Sequence, residues 1–227
     1  MRRLIPVILA TALIAGCSRG IIRPKIEAGI EKALPGYIGP AKEYHVEADG
    51  PSTPMLKGEI EALHITGRDV QVTPNLVVRD LVVDMKKVKA DPSTRKLQRV
   101  GSTTFQATVT EKAVNDYVKA SRPESTEIHI DLEPGKLTAV ARPTFHGIGA
   151  EIRVTGKPQV AGGSKVSFVA DKASVSIVPV PAFIVNELLD LLNPVLDLNQ
   201  MKVPVSLTSV TVKKDTVELA GKATFKP

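Results

Sequence analysis

The sequence predicts an α+β fold in which an antiparallel sheet of many strands packs against a few helices. From Lys57 onward, most segments alternate apolar and polar residues, which is the pattern of strands with one buried and one wet face. Short turns rich in Gly and Pro separate these segments, and apolar residues at helical spacing stand out in three others. Because each kind of element has an apolar side, the two are expected to bury one another.

The chain begins with the pattern of a secretory signal peptide in residues 1–16. Arg2 and Arg3 form a short positive start, and Leu4 to Ala15 is an uncharged apolar run. This run is too short for an ordinary membrane-spanning helix, which needs about 20 residues. We therefore expect residues 1–16 to be removed on export.

The leader ends in Ile14-Ala15-Gly16-Cys17, which resembles the bacterial lipobox, so Cys17 is predicted to carry a diacylglycerol. Cys17 is also the only cysteine in 227 residues, which fits a thiol consumed by lipid. A multiply acylated cysteine anchors durably, and residues 17–20 would then be a tether. Ser18 is not the aspartate that resembles an inner-membrane retention signal, which favours the outer membrane where two exist. The alternative is a plain signal peptide followed by an unrelated cysteine.

Composition argues against a nucleic-acid binder and for an aliphatic interior. Loss of residues 1–16 removes two arginines and no acids, which leaves 28 basic and 24 acidic residues, a net charge of +4. That charge is mild, and the sequence lacks the interleaved aromatic residues on which bases stack. Hydrophobic residues make up 43% of the chain and aromatic residues only 4%, so its apolar interior would suit acyl chains as well as a core.

The first element after the tether is an amphipathic helix over residues 21–34. Its apolar residues recur at helical spacing: Ile22, Ile26, Ile30 and Ala33. Pro24 suits a first helical turn, and Pro35-Gly36 is expected to end the helix. Residues 37–56, rich in Gly and Pro, predict a loop with one edge strand at Tyr44–Ala48.

Strands dominate the rest of the chain. Gly58–Thr66 and Leu76–Lys89 are predicted as the first two because of their Val, Leu and Met content. The apolar faces of the later strands are Phe105, Ala107 and Val109; Ile128, Ile130 and Leu132; Ala150, Ile152 and Val154; and Val217, Leu219, Ala223 and Phe225. Short turns between such strands predict an antiparallel meander.

Two further helices interrupt the strands. Glu111–Ala120 follows Thr110, a suitable N-cap residue. Pro181–Leu192 begins with a proline in its first turn and ends before Pro194. Its polar interior residues are Asn186, Glu187 and Asp190, which leave about two-thirds of its circumference apolar. This second helix is therefore predicted to be buried or to lie against lipid.

A search for catalytic motifs favours a protein that is not an enzyme. The sequence has no G-x-S-x-G, H-E-x-x-H, C-x-x-C or phosphate-binding Gly-rich loop. Its four histidines lie in separate strand-like segments, without metal-pair spacing. Asp80 and Asp84 share a strand face, but beside Arg79 they are expected to be solvated. We predict no catalytic residue, no metal and no cofactor; an enzyme would need dispersed polar residues to meet in a cleft.

A basic stretch begins at the end of the second predicted strand and continues beyond it. It holds six cations with Asp91 as the single acid: Lys86, Lys87, Lys89, Arg95, Lys96 and Arg99. We interpret Lys86, Lys87 and Lys89 as contacts for anionic headgroups, each worth about 1 kcal/mol near such a surface. The alternative is that they form the solvated end of a hairpin.

The order of four segments resembles the LmeA-like phospholipid-binding family over about residues 57–225. These segments are Thr110–Tyr117, Val180–Leu198, Val203–Val212 and Val217–Gly221. The resemblance implies an exported lipid binder with a long curved antiparallel sheet wrapped around two or three helices, similar to tubular lipid-binding domains. It transfers no catalytic residue, and a lipobox is not general to the family.

The predicted protein is an envelope lipoprotein whose single domain, residues 21–227, binds phospholipid acyl chains for lipid transfer or envelope maintenance. The predicted groove lies between the sheet and the helix Pro181–Leu192. Its predicted lining is Phe183, Ile184, Leu188, Leu191 and Leu192. The alternative is a non-catalytic adaptor with a fully packed core that docks a protein partner of unknown identity.

Overall fold

The computed structural model describes residues 19–94, 96–121, 127–141, 144–145, 148–149, 151–175, 186, 189–190 and 192–225. The helices are α1 (Arg19–Tyr37), α2 (Ser52–Leu56) and α3 (Glu111–Ser121), with a 3-10 turn at Leu198–Gln200. The strands are β1 (Glu43–Asp49), β2 (Glu59–Thr73), β3 (Leu76–Ala90), β4 (Leu97–Arg99), β5 (Ser102–Thr110), β6 (Ile128–Glu133), β7 (Lys136–Ala141), β8 (Thr144–Phe145), β9 (Ile148–Gly149), β10 (Ile152–Ala161), β11 (Lys165–Val175), β12 (Leu196–Asp197), β13 (Val205–Lys213) and β14 (Thr216–Ala223).

Twelve of these strands form a seven-stranded sheet and a five-stranded sheet, both antiparallel, and β8 pairs with β9. The first has the order β1-β2-β3-β5-β14-β13, with β4 paired to β3, and the second has the order β12-β11-β10-β7-β6. The predicted α+β class with a curved antiparallel sheet and helices is confirmed. The meander is only local, because β5 lies beside β14, with Thr110 opposite Thr216. Pairing between such distant segments leaves no signal in local spacing.

The β2–β3 hairpin provides the longest part of the apolar inner face. Leu63 pairs with Met85 and Ile65 with Val83, and all four side chains are buried. The sequence predicted that the first strand would stop at Thr66, yet β2 runs on to Thr73. Gly67 does not end it, because this glycine makes room for a neighbouring ring. A Cβ there would lie 2.9 Å from Cε1 of Tyr44.

Helix α1 is longer at both ends than predicted. Pro24 and Pro35 both lie inside it, so Pro24 is not in the first turn and Pro35-Gly36 does not end the helix. Both prolines are on the exposed side, where water can bond the carbonyl oxygens that their missing N–H groups leave unpaired. The last turn is held by packing, since Leu34 and Ile38 are buried and the Ile38 N–H donates to the Leu34 oxygen at 2.8 Å.

Two glutamates of α1 fix the helix to the free edge of β1. The Glu31 Oε1 atom accepts a hydrogen bond from the Val46 N–H at 3.0 Å, and the Glu27 Oε1 atom accepts one from the Ala48 N–H at 2.9 Å. Residues four apart lie on one face of a helix. Their spacing therefore matches alternate N–H groups of an edge strand, which would otherwise lack partners. This contact sets which face of α1 looks towards the sheet.

Helix α3 joins the two sheets. Its predicted N-cap is confirmed, since the Thr110 hydroxyl oxygen accepts a hydrogen bond from the Ala113 N–H at 3.2 Å. The Asn115 side chain bonds both backbone groups of Ile130, at 2.7 and 2.8 Å. Because β6 is an edge strand, this helix covers its open side.

Candidate functional site

A cavity of about 360 Å³ lies between α1, α2 and the inner face of the β2–β3 hairpin. This volume is within the range of small-molecule sites, about 300 to 1,000 Å³. Helix α1 lines it with Ile26, Ile30 and Leu34, which are four residues apart and so lie on one face. That face is turned inward because Glu27 and Glu31 hold the adjacent face against β1.

The opposite wall comes from the part of the hairpin farthest from its turn. It consists of Ile60, Leu63 and Ile65 of β2 with Met85 and Val88 of β3. All five side chains are aliphatic or thioether groups and are buried. The wall can therefore make dispersion contacts with a hydrocarbon but offers it no side-chain hydrogen bond.

A local distortion of β3 separates this wall from the basic stretch. Lys87 has a φ of 53°, which is rare for a residue with a side chain. Met85 and Val88 on either side are buried, whereas Lys86 and Lys87 between them are exposed. One short segment thus contributes apolar groups to the cavity and cations to the outer surface.

The mouth of the cavity combines exposed apolar groups with a few charged ones. Tyr37 and Leu56 line the cavity and are 39% and 57% exposed. Lys25, Asp91 and Pro92 also line it, and the lysine and the proline are exposed. The polar groups of the site are therefore at its rim, while its depth is apolar.

Asp91 is the lining residue whose pKa is shifted. Its carboxylate accepts hydrogen bonds from the hydroxyl and the N–H of Ser93, at 2.6 and 2.8 Å, and from the Thr94 N–H at 3.2 Å. These bonds, the Ser93 hydroxyl foremost, lower the pKa of Asp91 to about 2. Away from the cavity, burial raises the pKa of Tyr44 to about 12, and the Asn199 N–H lowers the pKa of Asp197.

A second apolar space of about 50 Å³ continues along the same hairpin towards its turn. It is lined by Leu76 and Val78 of β3 and by Leu219 of β14, among other apolar residues. Ile38 and Phe225 line both spaces. These two side chains therefore stand between the larger cavity and the smaller one.

Most of the residues predicted to line a groove lie in parts of the chain that the structure does not describe. Phe183, Ile184, Leu188 and Leu191 lie outside the described residues. Leu192 is helical and fully buried in the core. The role of these five residues in lipid binding stays a prediction.

The cavity beneath α1 was missed by sequence reasoning. The sequence did predict an amphipathic helix there, but an apolar face does not tell whether its partner is packed side chains or an open space. Gly29, a small residue between Ile26 and Ile30 that lines the cavity, marks the gap only once the fold is known. A Cβ on Gly29 would meet no atom within 4 Å.

The predicted headgroup lysines lie on the outer face of β3, next to the cavity wall. The Lys89 ammonium is 3.2 Å from the Glu59 Oε1 atom. Among the described residues, no carboxylate lies within ion-pairing distance of Lys86 or Lys87. Their contact with headgroups stays a prediction, and this geometry leaves Lys86 and Lys87 more available for it than Lys89.

One group of side chains has the residue types of a metal site. Oxygen or nitrogen atoms of Glu111, His129 and Asp131 all lie within 4.8 Å of one another. However, Glu111 accepts a hydrogen bond from the Leu132 N–H at 2.8 Å, and the Arg153 guanidinium is 3.8 Å from Asp131. A cation there would face a fixed positive charge, so the cluster is better explained as an ion-pair network that joins α3, β6 and β10.

One comparison with known proteins, that with family models, agrees with this lining. Over the described part of the chain, no helix is both long and apolar enough to cross a bilayer. No curated protein and no solved structure gives a significant match to the chain. The model of a family described as LmeA-like phospholipid-binding matches residues 19–222. The chain therefore belongs to the LmeA-like phospholipid-binding family.

Proposed function

We propose that this protein binds phospholipid by taking acyl chain into the cavity between α1 and the β2–β3 hairpin. The observation that carries the proposal is the lining: an apolar depth of about 360 Å³ with charged groups at the rim alone. Membership of a phospholipid-binding family supports the same ligand class. The site is a container for hydrocarbon and performs no reaction.

The physical basis of binding is removal of hydrocarbon from water. Each methylene buried contributes about 0.8 kcal/mol, so a partly enclosed chain is held without any hydrogen bond. Among its described lining residues, the depth of the cavity has no polar side chain that would bind a headgroup, so the headgroup stays at the rim near Lys25 and Asp91. Lys86 and Lys87, exposed on the outer face of β3 next to the cavity wall, add to the positive charge around the headgroup.

We also propose that the protein works as an exported lipoprotein tethered through Cys17, in the outer membrane where two membranes exist. Helix α1 begins at Arg19, and two residues of fully extended chain span at most about 7 Å. A lipid on Cys17 would therefore keep the start of α1 close to the bilayer, and with it the part of α1 that lines the cavity. This arrangement suits lipid transfer or envelope maintenance over a short distance.

The alternative is an envelope adaptor with a packed core that docks a protein partner. Two observations favour it: the second space is only about 50 Å³, and Leu192, Val195 and Leu196 are fully buried in the core. This alternative predicts that the purified protein carries no lipid and takes none up.

The test is to fill the cavity from α1 without adding charge. Gly29 and Gly36 are both exposed glycines of α1 whose Cβ would meet no atom within 4 Å, but only Gly29 lines the cavity. Gly29→Phe places a ring in acyl-chain space, whereas Gly36→Phe is the matched control. Both changes replace a poor helix former, so folding is expected to survive.

Native mass spectrometry of delipidated protein incubated with phospholipid vesicles then gives the outcome. We expect lipid uptake by the wild type and by Gly36→Phe, and at least a tenfold weaker uptake by Gly29→Phe, about 1.4 kcal/mol. Equal uptake by the two variants would show that lipid binds elsewhere. No uptake by the wild type would favour the adaptor.

A further inference from the structure

Two of the exposed large apolar side chains in the described part of the chain lie at the cavity mouth. Among the described residues, four large hydrophobic side chains are more than a third exposed: Tyr37, Leu56, Val77 and Val169. Isolated exposed apolar residues are ordinary on a soluble protein. Two of these four, Tyr37 and Leu56, line the same cavity. They form an apolar rim around an apolar opening.

Three exposed lysines either line the cavity or directly adjoin a lining residue in the chain. Lys25 lines the cavity itself, Lys57 directly follows Leu56, and Lys96 directly precedes Leu97, another lining residue. Among the described residues, no carboxylate lies within ion-pairing distance of these three ammonium groups.

The nearby acids are mostly engaged by other partners. Asp91 caps Ser93 and Thr94, Glu59 pairs with Lys89, and Asp49 lies 3.7 Å from Arg23. Glu61 is exposed on β2. Of these acids, Asp91 and Glu61 keep a negative charge that no cation in the described part of the chain pairs, against three such lysines, so the charge of these groups sums to +1 and complements an anionic surface.

Leu56 is presented by a rigid turn. Met55 beside it is only 3% exposed and anchors α2 in the core. The next two N–H groups close the turn, since Lys57 donates to the Pro54 oxygen and Gly58 to the Met55 oxygen, both at 2.9 Å. Gly58 has a φ of 79°, and the Ala90 backbone lies so close that no Cβ would fit. Because the backbone of this turn is already ordered, little backbone entropy is lost when Leu56 is buried by a partner.

We propose that the cavity mouth docks on an anionic membrane, with Leu56 entering the interface and Lys25, Lys57 and Lys96 contacting the headgroups. Apolar insertion and attraction to anionic lipid together set the strength of such binding. The proposal rests on the lipid-binding function above and gives it a route. Acyl chain passes between bilayer and cavity through a mouth that the membrane itself covers.

The test places a fluorophore at the mouth and at a control site. Leu56→Cys and Val77→Cys, each labelled with an environment-sensitive dye, are compared in the mature protein bound to vesicles that carry a quencher in their acyl region. Val77 is the matched control because it is 41% exposed but does not line the cavity. Unsubstituted protein is labelled in parallel, so that any dye on Cys17 is subtracted.

We expect a blue shift and several-fold stronger quenching at position 56 than at position 77, on vesicles with anionic lipid and not on neutral ones. Changing Lys25, Lys57 and Lys96 together to Gln should abolish the difference. The same change at Lys136, Lys157 and Lys172, three exposed lysines of the other sheet, should preserve it at equal net charge. Equal quenching at 56 and 77, or equal insertion into neutral vesicles, would overturn the proposal.

A second measurement separates this proposal from the lipid-binding function. Native mass spectrometry reports bound lipid in unlabelled Leu56→Cys. If lipid is bound but the dye at position 56 remains in water, the cavity function is supported and the docking surface is refuted. Insertion of position 56 without any bound lipid would support docking and refute the cavity.

Discussion

At the scale of single residues, strand edges and loops are completed by side chains that bond to backbone groups. Glu27 and Glu31 bond N–H groups of β1, Asn115 bonds both groups of Ile130, and Asp91 bonds the loop beside the cavity mouth. Sequence did not predict the Glu27, Glu31 and Asn115 contacts, because their partners are 15 or 21 residues away. Burial was easier to predict, since strand alternation placed Phe105, Val109, Ile130 and Leu132 inside correctly.

Asp91 gives a pH prediction at this scale. Its pKa is about 2 in the folded protein and 3.8 ordinarily. A lowered pKa stabilises the fold above the ordinary value, and this contribution is lost as pH falls through about 2. NMR titration of the side-chain carboxyl carbon should give a midpoint near 2.

The control for this titration is Ser93→Ala. Removal of the Ser93 hydroxyl, which is the foremost cause of the shift, should move the midpoint upward. A wild-type midpoint near 3.8 would mean that the loop does not hold the carboxylate as described.

At the scale of elements, sequence signals predicted the positions of helices better than their first and last residues. The start of α3 was predicted from Thr110 because an N-cap acts locally. The end of α1 was not, since Pro35 is tolerated on its exposed side while Ile38 continues the packing. Helix α2 was missed because five residues are too few to show helical spacing.

The junction of α3 and β6 gives a stability prediction. Asn115→Ala would leave the N–H and the carbonyl of Ile130 without their side-chain partner. We expect a loss of about 1 to 3 kcal/mol in the free energy of unfolding. Chemical denaturation followed by circular dichroism measures it.

Asp116→Ala is the control for Asn115, one residue away on the same helix. Asp116 forms a surface pair with Lys112, whose side chain is 84% exposed. Exposed pairs contribute little, so the free energy of unfolding should change by less than about 0.5 kcal/mol. Equal losses for the two variants would show that Asn115 does not join the sheets.

At the scale of the whole molecule, the fold class followed from alternation and from the resemblance, whereas the candidate site did not. The pairing of β5 with β14 joins segments that only the folded chain brings together. The cavity is the mismatch in shape between α1 and the β2–β3 hairpin, and no single stretch of sequence encodes a mismatch. Gly29 becomes informative only once Ile26 and Ile30 are seen to face Leu63 across an open space.

The central claim is that acyl chain occupies the cavity beneath α1, and photo-crosslinking tests it most directly. A phospholipid with a diazirine in its acyl chain would be bound, irradiated and mapped by peptide mass spectrometry. We predict label within residues 25–38, 55–65 and 85–92, which line the cavity, and loss of that label in Gly29→Phe. Label confined to residues 181–192, or to the outer face of the sheet, would contradict the account.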